Sequence, residues 1–532
     1  MYKPLLSLFV LFLVFTSCRQ RNTDAVTVAL PEKFTTLDTL TTASSESSAE
    51  RVKNLMFNAL VRKDDSFNYV GELAREINTS PDGMTVTFML RDGVRFHNGK
   101  DFTSADVKYT FDELFKANGF KAKAFFDTVP VAKADATASN SNPFEEPKTK
   151  SVPHILSLTT PDAKTVVFVV GRPSLRNQLL SNLVAIPIIP EGTIAQQKEK
   201  PIGSGPFKFI SFDQSQNIID LEANGEYWDG APKFPKLRLK TITEAASLQA
   251  ELHTGSVDIA PNPTNLPPDI IKAMKGTGKL NVEQFDGSNI QYLVFNAQSG
   301  PLANIKVRQA IGYAVDRNKI VAELLSGQAK VANSVLPSES WAYSPGTEYK
   351  FDPAKAKQLL QEAGYKNEPI NFKFRAGSAA VNQYAQAIQS SLNEVGLNVQ
   401  IETLDGPTIL QQLAQGQFQM YTGIWVGGNQ DPIFLRDLFH SAKIPGGSVS
   451  CCNRSRYSSD QVDRALEEAV NATDPQAAKA GYVLAWNLIS FDLPLFPLWY
   501  PANVVVSNKR VGNIKMSGSG DWTFLKDITV SN

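Results

Sequence analysis

Two periods of hydrophobic residues alternate along the chain. Over residues 85–90, Val86, Phe88 and Leu90 fall on one side and Thr85, Thr87 and Met89 on the other, the two-residue repeat of a half-buried strand. Pro81-Asp82-Gly83 predicts a turn before it and Arg91-Asp92-Gly93 a turn after it. Val94 and Phe96 resume the alternation, and Asn98-Gly99 marks a tight turn because both residues tolerate positive φ. Thr103 and Asp106 then stand at capping spacing before a helical face of Val107, Phe111, Leu114 and Phe115. The result is a β-β-α unit.

The same reading predicts strands over 25–30, 165–170, 183–190, 289–296, 370–375 and 420–425, and helices over 48–60, 305–321 and 351–365. In the last of these Asp352 caps, Pro353 takes the first helical position and Gly364 terminates. Residues 118–153 lose all periodicity and read as a polar surface insertion. Strands and helices interleave throughout, which predicts an α/β protein, and 532 residues predict about three domains or lobes.

Composition narrows the partners. Lys plus Arg and Asp plus Glu balance at 53 each, so no field favours nucleic acid or an anionic membrane surface. Three cysteines in so long a chain exclude a disulfide scaffold. The N-terminus places Lys3 before an apolar run over 5–15, too short for the about 20 residues of a bilayer span but suited to a signal-peptide core. Phe15-Thr16-Ser17-Cys18 resembles a lipobox, so residues 1–17 are expected to be removed and Cys18 lipidated, with 18–24 as a tether on the membrane.

Residues 82–110, with their pattern DG.t.tF.LR.GV.FH.G..f...DV.yt, closely resemble the signature of the family 5 extracellular solute-binding proteins, the dipeptide, oligopeptide and nickel receptors of bacterial ABC importers. The resemblance continues in family order through Ile202-Gly203-Ser204-Gly205-Pro206-Phe207, the block at 224–232, 252–263, the paired blocks at 289–296 and 305–321, and 351–365. It implies a two-lobed periplasmic-binding-protein fold with an additional subdomain. Lobe I is then discontinuous (25–47, 200–263 and 500–532), the subdomain spans 48–199, lobe II spans 264–499, and the chain crosses near 262 and 499. Implied with it are an exported monomer without cofactor, permease subunits as partners, and a short peptide or peptide-like solute. A sugar, opine or metal chelate on the same fold is the alternative.

Enzyme motifs are absent from the sequence. His97, His154, His253 and His440 form no HExxH or other metal-ligand spacing, and no G-x-S-x-G, P-loop or dinucleotide fingerprint occurs. An exported hydrolase is therefore the remote reading, and no catalytic or metal residue is assigned.

Candidate ligand residues lie mainly in lobe II. Arg375 ends the predicted strand 370–375, where an arginine receives a carboxylate bidentately, and it falls where similar dipeptide receptors keep such an arginine. In the stretch 420–432 (MYTGIWVGGNQDP), the resemblance implies an amine-pairing Asp at a position that here is Gly428, which weakens recognition of a free α-amino group. Trp425 is a stacking candidate; Asn429 and Asp431 share its loop. Tyr292 and Asn296 on the strand 289–296, and Phe34 in the Thr/Ser-rich loop before residue 48, complete the set. Vicinal Cys451 and Cys452 are a candidate disulfide, with pairing between chains or two free loop thiols as the alternatives.

Overall fold

In the computed structural model, which describes residues 25–43, 46–130, 149–446 and 452–531, the alternating segments assemble into two large mixed sheets and a smaller antiparallel one. The first large sheet has seven strands, in the order Phe207–Asp213, Ile218–Ala223, Lys236–Thr241, Ala25–Leu30, Ile259–Pro261, Asn503–Asn508 and Leu280–Phe285. The second has six: Ala329–Val331, Leu495–Pro501, Ile290–Phe295, Met420–Trp425, Pro369–Arg375 and Asn398–Leu404.

The expected crossing near 262 lies elsewhere. The helix Pro268–Gly276 and the strand Leu280–Phe285 still belong to the first sheet, because Val282 pairs with Val506, and Ile271, Met274 and Leu280 bury together with Leu248 and Val506. That apolar face would be stripped if the segment joined the second lobe, so the chain crosses at 286–289 and returns through Ala502.

The β-β-α unit forms as its pattern predicts. Thr85–Leu90 pairs on one side with Ala74–Thr79 and on the other with Thr165–Val170, in a four-stranded antiparallel sheet completed by Ile155–Asp162. The helix Ser104–Ala117 starts from a Thr103–Asp106 capping box, and Asp106 also receives Lys100 Nζ at 2.7 Å. Phe111 meets Phe168 edge-on at 5.2 Å, and these rings share one continuous core with Val28, Phe207 and Leu237 of the first sheet. The subdomain is thus fused to the first lobe. Each fully buried Phe contributes about 1.5–3 kcal/mol to the stability of that core.

Two predicted elements take other forms. Residues 183–190 make no strand: a helix covers Leu175–Leu183, and Pro187 and Pro190 lack the N–H groups a ladder needs. Ile186, Ile188 and Ile189 are buried nonetheless, with Ile188 N bonded to Asn58 O at 3.0 Å. The helix expected over 305–321 stops at Ala314, where Val315 turns extended and Asp316 caps a fresh turn by accepting from Lys319 N.

The block 202–207 packs as scaffold. A Cβ on Gly203 would sit 2.1 Å from Met56 O, and one on Gly205 2.4 Å from Met56 C, so only glycine admits that approach. His97 locks the same block. Its Nε2 donates to Gly205 O at 3.0 Å and its Nδ1 accepts from Gly203 N at 3.3 Å, a tautomer assigned from this network. Burial lowers its pKa to about 4, so the ring is neutral.

Candidate functional site

The second sheet separates two cores. Helices Ile305–Ala314, Pro353–Glu362 and Ala379–Glu394 are associated with the face bearing Leu293, Phe372 and Met420, whereas Tyr292, Val294 and Tyr421 bury with the segments 406–415, 434–439 and 460–492. Register decides which polar residues share the latter face. Lys373 pairs with Tyr421 across parallel strands, and Val294 with Tyr421 and Tyr292 with Gly423 across antiparallel ones. Paired residues and those two positions along point the same way, so Arg375, Tyr421, Trp425 and Tyr292 stand on one face, with Arg375 and Trp425 at the strand ends.

Arg375 is exposed and makes no ion pair with a described residue. Its guanidinium lies against the start of the helix Gly406–Gln415, where a Cβ on Gly406 would stand 3.0 Å from Nε. Trp425 is half-buried, edge-on to Phe434 at 5.2 Å. Above it sits Arg454, whose guanidinium carbon is 5.4 Å from the ring centroid. Tyr292, Trp425, Cys452, Arg454 and Ser455 line one small space. Burial raises the Tyr421 phenol while Arg454 and then Arg375 oppose the shift; burial likewise pushes Tyr292 far up, against Arg454.

The loop after Trp425 is shared with the rest of the molecule. Asn429 is fully buried and donates from Nδ2 to Ser288 O at 2.6 Å and Val335 O at 2.9 Å, so it anchors the loop to the crossing segment. Asp431 is buried too. It accepts from Ile433 N at 2.9 Å and from the hydroxyl of Tyr69, which lies on the hairpin of Val61–Lys63 with Tyr69–Gly71. Lys63 of that hairpin donates to Gln430 Oε1 at 3.3 Å, and burial lowers its pKa against the pull of Asp431. Gly428 is exposed, with Phe434 3.2 Å from where its Cβ would be.

Two predicted residues are not brought to these strand ends. Phe34 is buried in the first core, stacked on Phe212 at 5.2 Å, because the loop turns its apolar side chain inward. Asn296 is buried and spends its amide on Gly416 O and Phe418 O, at 3.0 and 3.1 Å. Cys452 is disulfide-bonded; Cys451 and Cys18 lie outside the described residues, as do the signal segment, the tether and residues 131–148 of the insertion.

Sequence reasoning missed Arg454, Tyr421, Tyr69 and Lys63. Tyr421 was recoverable from strand alternation, but no periodicity marks Arg454 in its loop. A cavity of about 180 Å³ lies instead along the crossing segments, bounded by Asp286, Lys330, Glu339 and Tyr500. It holds neither Arg375 nor Trp425. Among the described residues no group of three His, Cys, Asp or Glu is placed to hold a metal ion, and no helix is long and apolar enough to cross a membrane.

Comparison with known proteins matches residues 68–446 to the model for bacterial extracellular solute-binding proteins, family 5 Middle. Heme-binding protein A of Haemophilus influenzae is 27% identical over 87% of this chain and 85% of that protein. The dipeptide-binding protein of Escherichia coli is 28% identical over 74% of each. In fold, the chain resembles the crystal structure of NikA from Brucella suis in complex with Fe(III)-EDTA, with a TM-score of 0.78 and 21% identity over 95% of this chain and 100% of that one.

Proposed function

Since the chain belongs to the family 5 bacterial extracellular solute-binding proteins, we propose that it captures a short peptide or peptide-like solute between its lobes and delivers it to the permease of an ABC importer. The observation that carries this reading is Arg375, an exposed guanidinium without a carboxylate partner among the described residues, at a strand end on the sheet face that also carries Trp425. A peptide presents the complementary carboxylate, and parallel strand ends are where α/β sheets receive ligands. The dipeptide-binding relative supports the solute class. Capture is binding and release without catalysis: preference for the closed arrangement draws the lobes together, and the closed form is what the permease engages. The protein works outside the cytoplasm as a monomer, held to a membrane through lipid on Cys18.

Native mass spectrometry of the protein as purified tests the solute class. Bound mass corresponding to peptides is the expected result. A sugar or a metal chelate as the sole retained species, with no peptide able to displace it, refutes the peptide reading.

A further inference from the structure

Resting on that peptide reading, we infer that Arg454 is a second anion-recognising residue of the cleft, so that the solute carries an acidic group beyond the one met by Arg375 and is net negative. Arg454 is half-buried, stands over the Trp425 ring at 5.4 Å and lines the same small space as Tyr292 and Ser455. Like Arg375, it makes no ion pair with a described residue. Both arginines act electrostatically on Tyr421, which lies on the same sheet face as Arg375 and Trp425.

The neighbouring acids are already engaged. Asp431 accepts from Tyr69 and Ile433 N; Asp405, next to Gly406, accepts from Thr408 N at 3.0 Å and Thr408 Oγ1 at 2.7 Å; Asp437 faces Lys443 at 3.7 Å. Gly428 supplies no charge. Two guanidiniums without an ion-pair partner among the described residues therefore stand on this side of the sheet, Arg375 at a strand end and Arg454 over Trp425, and a zwitterionic peptide offers only one carboxylate while bringing an ammonium into the same positive field. An acidic side chain, or a blocked amine together with one, matches the site. The Trp425 platform beneath Arg454 favours the planar, weakly hydrated guanidinium over a lysine ammonium there.

Calorimetry of the full mature chain with Ala-Ala, Ala-Lys, Ala-Glu and N-acetyl-Ala-Glu tests the inference. Affinity is expected to rise with negative charge, with N-acetyl-Ala-Glu at least tenfold tighter than Ala-Ala and Ala-Lys weakest. Arg454→Gln should weaken Ala-Glu at least fivefold more than it weakens Ala-Ala, and Arg454→Lys should restore part of that difference, with thermal melts showing all variants folded. Equal binding of the acidic and neutral probes, or equal losses in Arg454→Gln, overturns the inference and leaves peptide capture standing. Silence from every probe overturns the inference, and peptide capture is then decided by the native mass spectrum alone.

Discussion

Removing one hydroxyl, by Tyr69→Phe, deletes a contact between the subdomain and Asp431 of the second lobe, together with the bond of that hydroxyl to Ser181 within the subdomain. In the structure the Tyr69 hydroxyl donates to the carboxylate of Asp431, a residue only 7% exposed, and the other hydrogen bond to that carboxylate among the described residues comes from Ile433 N at 2.9 Å. A hydrogen bond to a charged group contributes about 1.5–3 kcal/mol, and its loss leaves a buried carboxylate underpaired. The bond joins the subdomain to the second lobe, so on the capture reading proposed above it is one of the contacts that hold the lobes together. Its loss therefore acts on closure rather than on folding of either lobe. Where the free protein is mainly open, a penalty of about 2 kcal/mol passes into apparent affinity as a weakening of about 30-fold. Calorimetry with N-acetyl-Ala-Glu measures it, beside thermal melts of the ligand-free protein, which should be unchanged. Affinity within twofold of the parent, or a lowered melting temperature without ligand, would refute the reasoning.

Three further outcomes are expected. Arg375→Ala should weaken peptide binding by at least ~1.5 kcal/mol in calorimetry, and unchanged affinity removes Arg375 from the site. With no carboxylate at Gly428, N-acetylated and free-amine forms of one peptide should bind without preference for the free amine, and Gly428→Asp should create that preference; a strong preference in the parent protein contradicts the assignment. Because the folded-state pKa of His97 is lowered to about 4 from 6.5, the unfolded chain binds more protons between those values, so its contribution is present above pH 6.5 and lost as pH falls through 4. Discounted for a half-buried ring, that is on the order of 2 kcal/mol. Urea denaturation at pH 7 and pH 4 checks it: His97→Gln should flatten the decline, and an identical decline in the variant assigns it to other groups.

Much of the fold was legible because periodicity and turn chemistry are local. The strand Thr85–Leu90, the capping box at Thr103 and Asp106, and the helix begun by Asp352 and Pro353 each follow from neighbouring residues. The strand expected over 183–190 failed because an apolar run states burial and not pairing. Its prolines and its place against Asn58 and Thr110 decided the form.

The site divides in the same way. The family, the strand that carries Arg375 and the missing carboxylate at Gly428 were determined by sequence, since each depends on residue type at a position in a local pattern. Tertiary structure decided the rest. Phe34 and Asn296 went to interior contacts because burial and backbone carbonyls far along the chain claimed them. Asp431 met Tyr69 across a separation of 362 residues, and Arg454 came to rest over Trp425 from a loop without periodicity. Charge balance on a sheet face is a sum over segments distant in sequence, so only the folded chain shows which guanidiniums have no ion pair among the described residues.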